Sequence, residues 1–238
     1  MPILSRFVHS PERDTVARGR PSARREAAIG LCCYAAYLAV RQAVLPTGGR
    51  ERAARNARRI LAAERQLRLD VEPRVQDAAL RLPRLLHVLN AGYAVFNVSL
   101  SVGWLVRLYR RREPAFARER RAAAAAFLGA LPVFLVFPAA PPRTLDGFVD
   151  TLAEGGIDLE HPLLVRFYNP IAALPSHHVA FAVVTGTAAA SRSGGLSRAG
   201  WATYPAIVAL VVVATGNHFT LDVAAGAALG ALARRLTR

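Results

Sequence analysis

Repeated apolar runs, separated by segments dense in arginine, constrain this 238-residue chain more than any other feature. A helix needs about 20 apolar residues to cross the hydrocarbon of a bilayer. Six runs approach that length: residues 27–45, 85–108, 122–138, 172–190, 201–216 and 219–233, the last two divided by a tight turn at "GNHF". Although 53% of the residues are hydrophobic, the formal charge is +15, so apolar and basic blocks must alternate. The pattern predicts an all-α, polytopic membrane helical bundle of about six transmembrane helices. A soluble nucleic-acid binder would share the charge but not the runs, and no aromatic residues interleave the Arg-rich stretch for base stacking. Gly and Pro inside the runs are compatible with membrane helices. In the second run Gly92, Ser99, Ser101 and Gly103 offer small surfaces for helix contact. Arg41, near the end of the first, is placed to snorkel.

Residues 1–26 lack the long apolar core of a signal peptide and read as a basic cytoplasmic tail; residues 27–238 read as one membrane-embedded domain with its catalytic core over about 120–235. Cys32 and Cys33 are adjacent, which disfavours a mutual disulfide, and they show no metal spacing. Between the first two runs, Ala57, Ile60, Leu61, Leu67, Val71, Val75 and Leu82 recur at helical spacing among arginines, with Pro73 as a break. Two amphipathic helices lying in the membrane interface over about 48–82 are expected there. With that stretch set aside, 17 Arg fall on the side that holds both termini, against two in residues 139–171. The positive-inside rule then places both termini in the cytoplasm.

Alternation of six helices brings distant polar segments together. "FPAAPPR" at the end of the third run, "LPSHH" at the start of the fourth and "GNHFTLD" between the fifth and sixth all fall at one, extracytoplasmic, surface. Asp222 is the only one of the 16 acidic residues inside a strongly apolar run. An unpaired acid in lipid is costly, and such residues mark function. On a helix, Asp222 sits one turn from His218 and can hold one ring nitrogen protonated, leaving the other as a nucleophile. Pro175 suits the first turn of a helix, whose backbone donors near Ser176 would form an anion site. His177 or His178 can supply a proton to a leaving oxygen, and Arg143 offers a forked cation suited to phosphate. Together these groups describe phosphoryl transfer through a phosphohistidine.

The "PSHH" and "HFTLD" stretches resemble the Pro-Ser-x-His and His-x-x-x-Asp signatures of the type 2 phosphatidic acid phosphatase superfamily. "FPAAPPR", with "ERQLRLDVEPRVQ" upstream, resembles more narrowly its inositol phosphorylceramide synthase-like branch. The resemblance implies that His218 is the nucleophile, Asp222 its orienter, His178 the general acid, and Ser176 and Arg143 the phosphate ligands. Two departures stand out: no Lys-x6-Arg-Pro motif is present, and Val212 occupies the position six before His218, where the superfamily commonly has Arg.

Simpler readings fit other residues. His9, His87 and His161 read as packed or capping histidines. Asp146, Asp150, Glu154 and Asp158 recur every fourth residue but are interrupted by Gly155 and Gly156, as in a solvated loop. Tyr168, Asn169, His177 and Asn217 are expected to line the pocket. A metal site of His177, His178, His218 and Asp222 matches no common zinc spacing, so neither metal nor cofactor is expected. The function expected is hydrolysis of a lipid phosphate or diphosphate, with transfer to inositol or another polyol as the alternative; the partners are membrane lipids and not nucleic acid. A non-enzymatic lipid or anion transporter is the rival, disfavoured because the polar groups gather at one face.

Overall fold

The computed structural model describes residues 21–159, 161 and 168–238. Residues 1–20 of the expected tail, with His9, lie outside the described residues. Among the described residues ten α-helices form: α1 (Ala23–Val44), α2 (Gly49–Leu67), α3 (Glu72–Leu80), α4 (Pro83–Ala91), α5 (Asn97–Arg110), α6 (Phe116–Val136), α7 (Thr151–Glu154), α8 (His177–Ala190), α9 (Gly195–Ala214) and α10 (Thr220–Leu236). A π-helical turn, Gly92–Phe96, joins α4 and α5 into one rod. The sole strand-like pairing among them is a parallel bridge between Ala139 and Ala172.

Among the described residues three segments are long and apolar enough to cross a membrane: Ala23–Thr47, Pro83–Arg110 and Gly195–Ala214. The other three expected runs form helices that fall short of that measure. The first turns of α6 carry Arg118, Glu119, Arg120 and Arg121, α8 has only 14 residues, and α10 has 17. The fourth run loses its first turn because residues 172–176 are not helical and Ser176, with extended backbone, is the N-cap of α8. Pro175 therefore precedes the helix and does not occupy its first turn. The fifth gains one, starting at Gly195 in what the sequence marks as a loop. The expected turn between the last two runs is present at residues 215–219, where Gly216 has φ +68°; a Cβ there would meet the Gln76 side chain and the Val149 carbonyl.

The rods alternate in direction. One end gathers the start of α1 and α6 with the ends of α5, α8 and α10, and it is locked by a single carboxylate. Glu119, 1% exposed, accepts from Arg118 at 3.0 Å and from Arg192 at 3.1 Å, and it pairs with Arg234. Beside it Arg120 pairs with Glu26 at 2.6 Å, joining α6 to α1. The opposite end is covered by α2 and α3. The expected apolar positions Ala57, Ile60 and Leu61 are buried, but against protein: the Asn56 amide donates to the Pro138 carbonyl at 2.8 Å, and the Ala53 carbonyl accepts from Ala140. Leu67, Val71 and Leu82 stay exposed, and the break expected at Pro73 falls at residues 68–71, with Pro73 the second residue of α3. Arg41, expected to snorkel, is buried within the protein. Gly103, expected at a helix contact, has nothing within 4 Å.

Removing one member of a buried, hydrogen-bonded ion cluster leaves the others uncompensated. Glu119→Ala is expected to lower stability by about 3–5 kcal/mol, read as a lower Tm in detergent, because it strands three guanidinium groups together.

Candidate active site

The arrangement begins with how closely α8 and α10 approach. Gly226 and Gly230, one turn apart on α10, face α8. A Cβ at Gly226 would collide with the Ser176 carbonyl oxygen, and one at Gly230 would lie 2.6 Å from that of Ala180. Small residues at this spacing let membrane helices approach to backbone contact. The Ser176 N–H donates to the Asp222 carbonyl at 3.0 Å, so the N-termini of the two helices are fastened to each other. His178 on α8 and His218 just before α10 are thereby brought to a ring-centroid separation of 5.7 Å.

His218 is not on the helix, contrary to the sequence expectation; it belongs to the turn that precedes the N-cap residue Phe219. Its Nδ1 lies 3.0 Å from the Ala173 carbonyl and 3.5 Å from the Asp222 carboxylate. A carbonyl can only accept, so Nδ1 carries the hydrogen and Nε2 keeps its lone pair. The nearer orienting group is thus a backbone carbonyl, held by the bridge in which Ala173 N–H donates to Ala139. Asp222 acts chiefly on the backbone: its Oδ2 accepts from the Phe219 N–H at 2.9 Å, the reach-back half of a capping box. Val212, in the position six before His218, is buried, and its carbonyl accepts from the Asn217 and His218 amides.

The adjacent histidines face different surroundings. His178 stacks on Tyr93 at 4.5 Å, and Tyr93 sits in the π-helical turn, a deformation that frequently marks functional sites. His177 stacks on Phe127 at 4.8 Å, meets Phe134 edge-on, and approaches the Phe127 carbonyl at 3.1 Å through Nε2.

Arg143 lies in the strap between α6 and α8 and is 6% exposed. Its guanidinium donates to Asp150 at 3.1 Å, Asn217 at 2.8 Å and the Tyr168 hydroxyl at 3.3 Å. Asp150 also caps α7 through the Ala153 N–H, so it is not the solvated loop acid that its spacing indicates. Gln76 and Asn90 clamp the same strap, at Val149 and Thr151. Asn169 is buried and accepts from the Ile171 N–H. His87 is exposed, with Nδ1 2.8 Å from the Pro83 carbonyl, and His161 is exposed.

A cavity of about 340 Å³ opens on this cluster. His178, His218, Asn217, Tyr168, Asn169 and His177 line it, as do Tyr34, Tyr37 and Tyr93; Arg143, Ser176 and Asp222 stand behind the lining. Ser176 is fully buried, with its hydroxyl accepting from Val179 N–H. A second, larger cavity of about 550 Å³ runs between α1, α5, α6 and α8 and shares Tyr34, Val98, Phe127 and Phe181 with the first. Among the described residues no three His, Cys, Asp or Glu side chains are grouped to hold a metal ion.

Sequence reasoning missed Tyr93, the Ala173 carbonyl, the Gly226/Gly230 contact and two acids taken up below. Only the glycine pair had a plain signal, the spacing "GAALG".

A family model described as the PAP2 superfamily matches residues 58–236. No curated protein and no solved structure matches the chain.

Overpacking a backbone-to-backbone contact costs about 1–3 kcal/mol. Gly226→Leu is therefore expected to lower the Tm in detergent, whereas Gly103→Leu, placed in open space, leaves it unchanged; equal effects would contradict the close approach of α8 and α10.

Proposed function

The chain belongs to the PAP2 superfamily, and from that membership we propose that it is an integral membrane phosphohydrolase of lipid phosphates or diphosphates, working through a phosphohistidine at His218. The observation that carries this reading is the continuity of a pocket lined by three histidines with an apolar cavity. One accommodates a phosphate head, the other a hydrocarbon chain. From Phe127 the larger cavity follows α6 back to Phe116, about 16 Å at the helical rise of 1.5 Å per residue, and it ends at the Glu26–Arg120 ion pair.

The chemistry proceeds in two balanced steps. His218 Nε2 attacks phosphorus, forming a P–N bond as the P–O bond to the lipid breaks, and His178 gives its proton to the departing oxygen. Water then attacks phosphorus while His178 takes its proton, the P–N bond breaks, and inorganic phosphate leaves. Asp222 and the Ala173 carbonyl hold His218 in its reactive tautomer. Arg143 supplies positive charge through Asn217 and Tyr168, and the N-terminus of α8 adds its dipole; preorganised charge of this kind stabilises the transition state. His177, packed among aromatic rings, is a wall of the pocket.

A second reading is supported by the size of the pocket and its hydroxyl and amide lining: Tyr34, Tyr37, Tyr168, Asn169 and Asn217. A polyol ordered there in place of water would take the phospho group, as in the inositol phosphorylceramide synthase-like branch. In this reading both termini are cytoplasmic and the pocket faces outward, which the asymmetry of Arg outside residues 48–82 supports.

Purified protein in detergent is expected to release phosphate from a panel of lipid phosphates, and His218→Ala to abolish release. Retained turnover in that variant would remove the nucleophile. Val98→Trp, at the junction of the two cavities, is expected to raise KM for long-chain substrates by about tenfold and to spare short-chain ones; equal effects on both would sever the apolar cavity from the substrate. With Cys32 and Cys33 replaced, a cysteine at position 150 is expected to label from outside intact cells and one at 115 to be spared, and the reverse pattern would invert the orientation.

A further inference from the structure

The first turn of α10 is held by an unusual set of acceptors. The first turn of any helix leaves backbone N–H groups without intrahelical partners. Here three successive donors are each taken by a different buried carboxylate. Phe219 N–H donates to Asp222 at 2.9 Å, Thr220 N–H to Glu72 Oε1 at 2.6 Å, and Leu221 N–H to Glu64 Oε1 at 2.6 Å. The Thr220 hydroxyl adds a second bond to Glu72 Oε1 at 2.5 Å. All three acids are fully buried. Glu64 comes from α2 and Glu72 from α3, the Arg-rich stretch whose sequence reads as an amphipathic surface. On α2, Glu64 continues the inward face formed by Ala53, Ala57, Ile60 and Leu61, so an acid occupies a position where the periodicity calls for an apolar residue.

Glu64 and Glu72 thus hold successive N–H groups of one helix turn through Oε1, and the second oxygen of each carboxyl group is buried and accepts from no donor among the described residues. Ionising two carboxyl groups side by side in a buried site is strongly disfavoured, so the pair keeps one proton. Burial pushes Glu64 up to about 8, the Leu221 N–H works against that rise, and the charges facing it, Glu72 from α3 and Asp222 from α10, add to it. The helix dipole favours negative charge at this terminus, but only about half an elementary charge of it. A protonated Glu64 beside Glu72 gives the helix its acceptors without stacking three negative charges in one buried site.

We infer that Glu64 and Glu72 are positioning residues of the active site, a carboxyl pair sharing one proton that clamps the first turn of α10 and so holds His218 opposite His178. Neither acid lines the cavity, and both act through the backbone of residues 220 and 221, next to the turn that carries His218. The inference rests on the phosphohydrolase reading for its kinetic consequence, and on the burial of two acids at adjacent N–H groups for the shared proton.

The test compares wild type, Glu64→Gln and Glu64→Ala in detergent, measuring phosphate release and Tm from pH 5 to 9. Gln keeps an acceptor for Leu221 N–H and a donor to Glu72 but has no proton to lose. Because Glu64 holds its proton to higher pH in the folded chain than in the unfolded one, wild-type stability falls as pH rises from the ordinary carboxylate range to about 8 and levels beyond it. The Tm of Glu64→Gln relative to wild type is therefore expected to climb through that window, and the alkaline limb of kcat near pH 8 to move upward. Glu64→Ala is expected to lower kcat about tenfold to a hundredfold with KM changed less than about twofold, and Gln to restore most of that loss. Parallel Tm curves for wild type and Glu64→Gln would overturn the shared proton. Wild-type kcat in Glu64→Ala, or a loss in Ala that Gln does not restore, would overturn the positioning role. Should wild type release no phosphate from any lipid phosphate, the functional reading fails, while the Tm curves still decide the proton.

Discussion

The hydrogen bond from the Ser176 N–H to the Asp222 carbonyl, with Gly226 pressed against Ser176, is the constraint on which the rest of the site depends. It joins two helix N-termini side by side, and each terminus carries one histidine of the proposed pair. Packed interiors do not deform continuously. The 5.7 Å between the two rings therefore depends on the α8–α10 contact. The strap holding Arg143 and the bridge holding Ala173 then close on a frame already in place.

Buried charge is distributed to match this frame. At the end away from the pocket, one carboxylate, Glu119, gathers three guanidinium groups, from α6, from the turn after α8 and from α10. At the pocket end three carboxylates, Glu64, Glu72 and Asp222, gather the donors of a single helix terminus. Both ends of α10 are thus fixed by buried carboxylates. Electrostatic catalysis requires dipoles that do not reorganise during reaction, and a helix fastened at both ends supplies them.

Much of this was legible in the sequence. Apolar length revealed the long helices because lipid and core make the same demand on hydropathy, and parity of the rods placed "FPAAPPR", "LPSHH" and "GNHFTLD" at one end, where the structure has them. Helix length was less legible: α8 and α10 are shorter than membrane-crossing helices because backbone at residues 172–176 and 215–219 is spent on the site. The partner of His218 was misread, since spacing reports side chains four apart but not a carbonyl 45 residues away. Glu64 and Glu72 were hidden for a related reason. Among so many arginines an acid reads as a solvated salt-bridge partner, and only the fold of α2 and α3 over the end of α10 shows that both face inward. Tyr93 carries no signal in sequence beyond being aromatic in an apolar run.

The central claim is that phosphorus passes through nitrogen on His218. Incubating the protein with a lipid phosphate labelled on phosphorus, quenching under alkaline conditions and mapping the label by mass spectrometry tests it directly. The account predicts an acid-labile, base-stable phosphoryl group on the peptide that carries His218. Label that never appears on the protein while phosphate is released, or that maps to another residue, would contradict it.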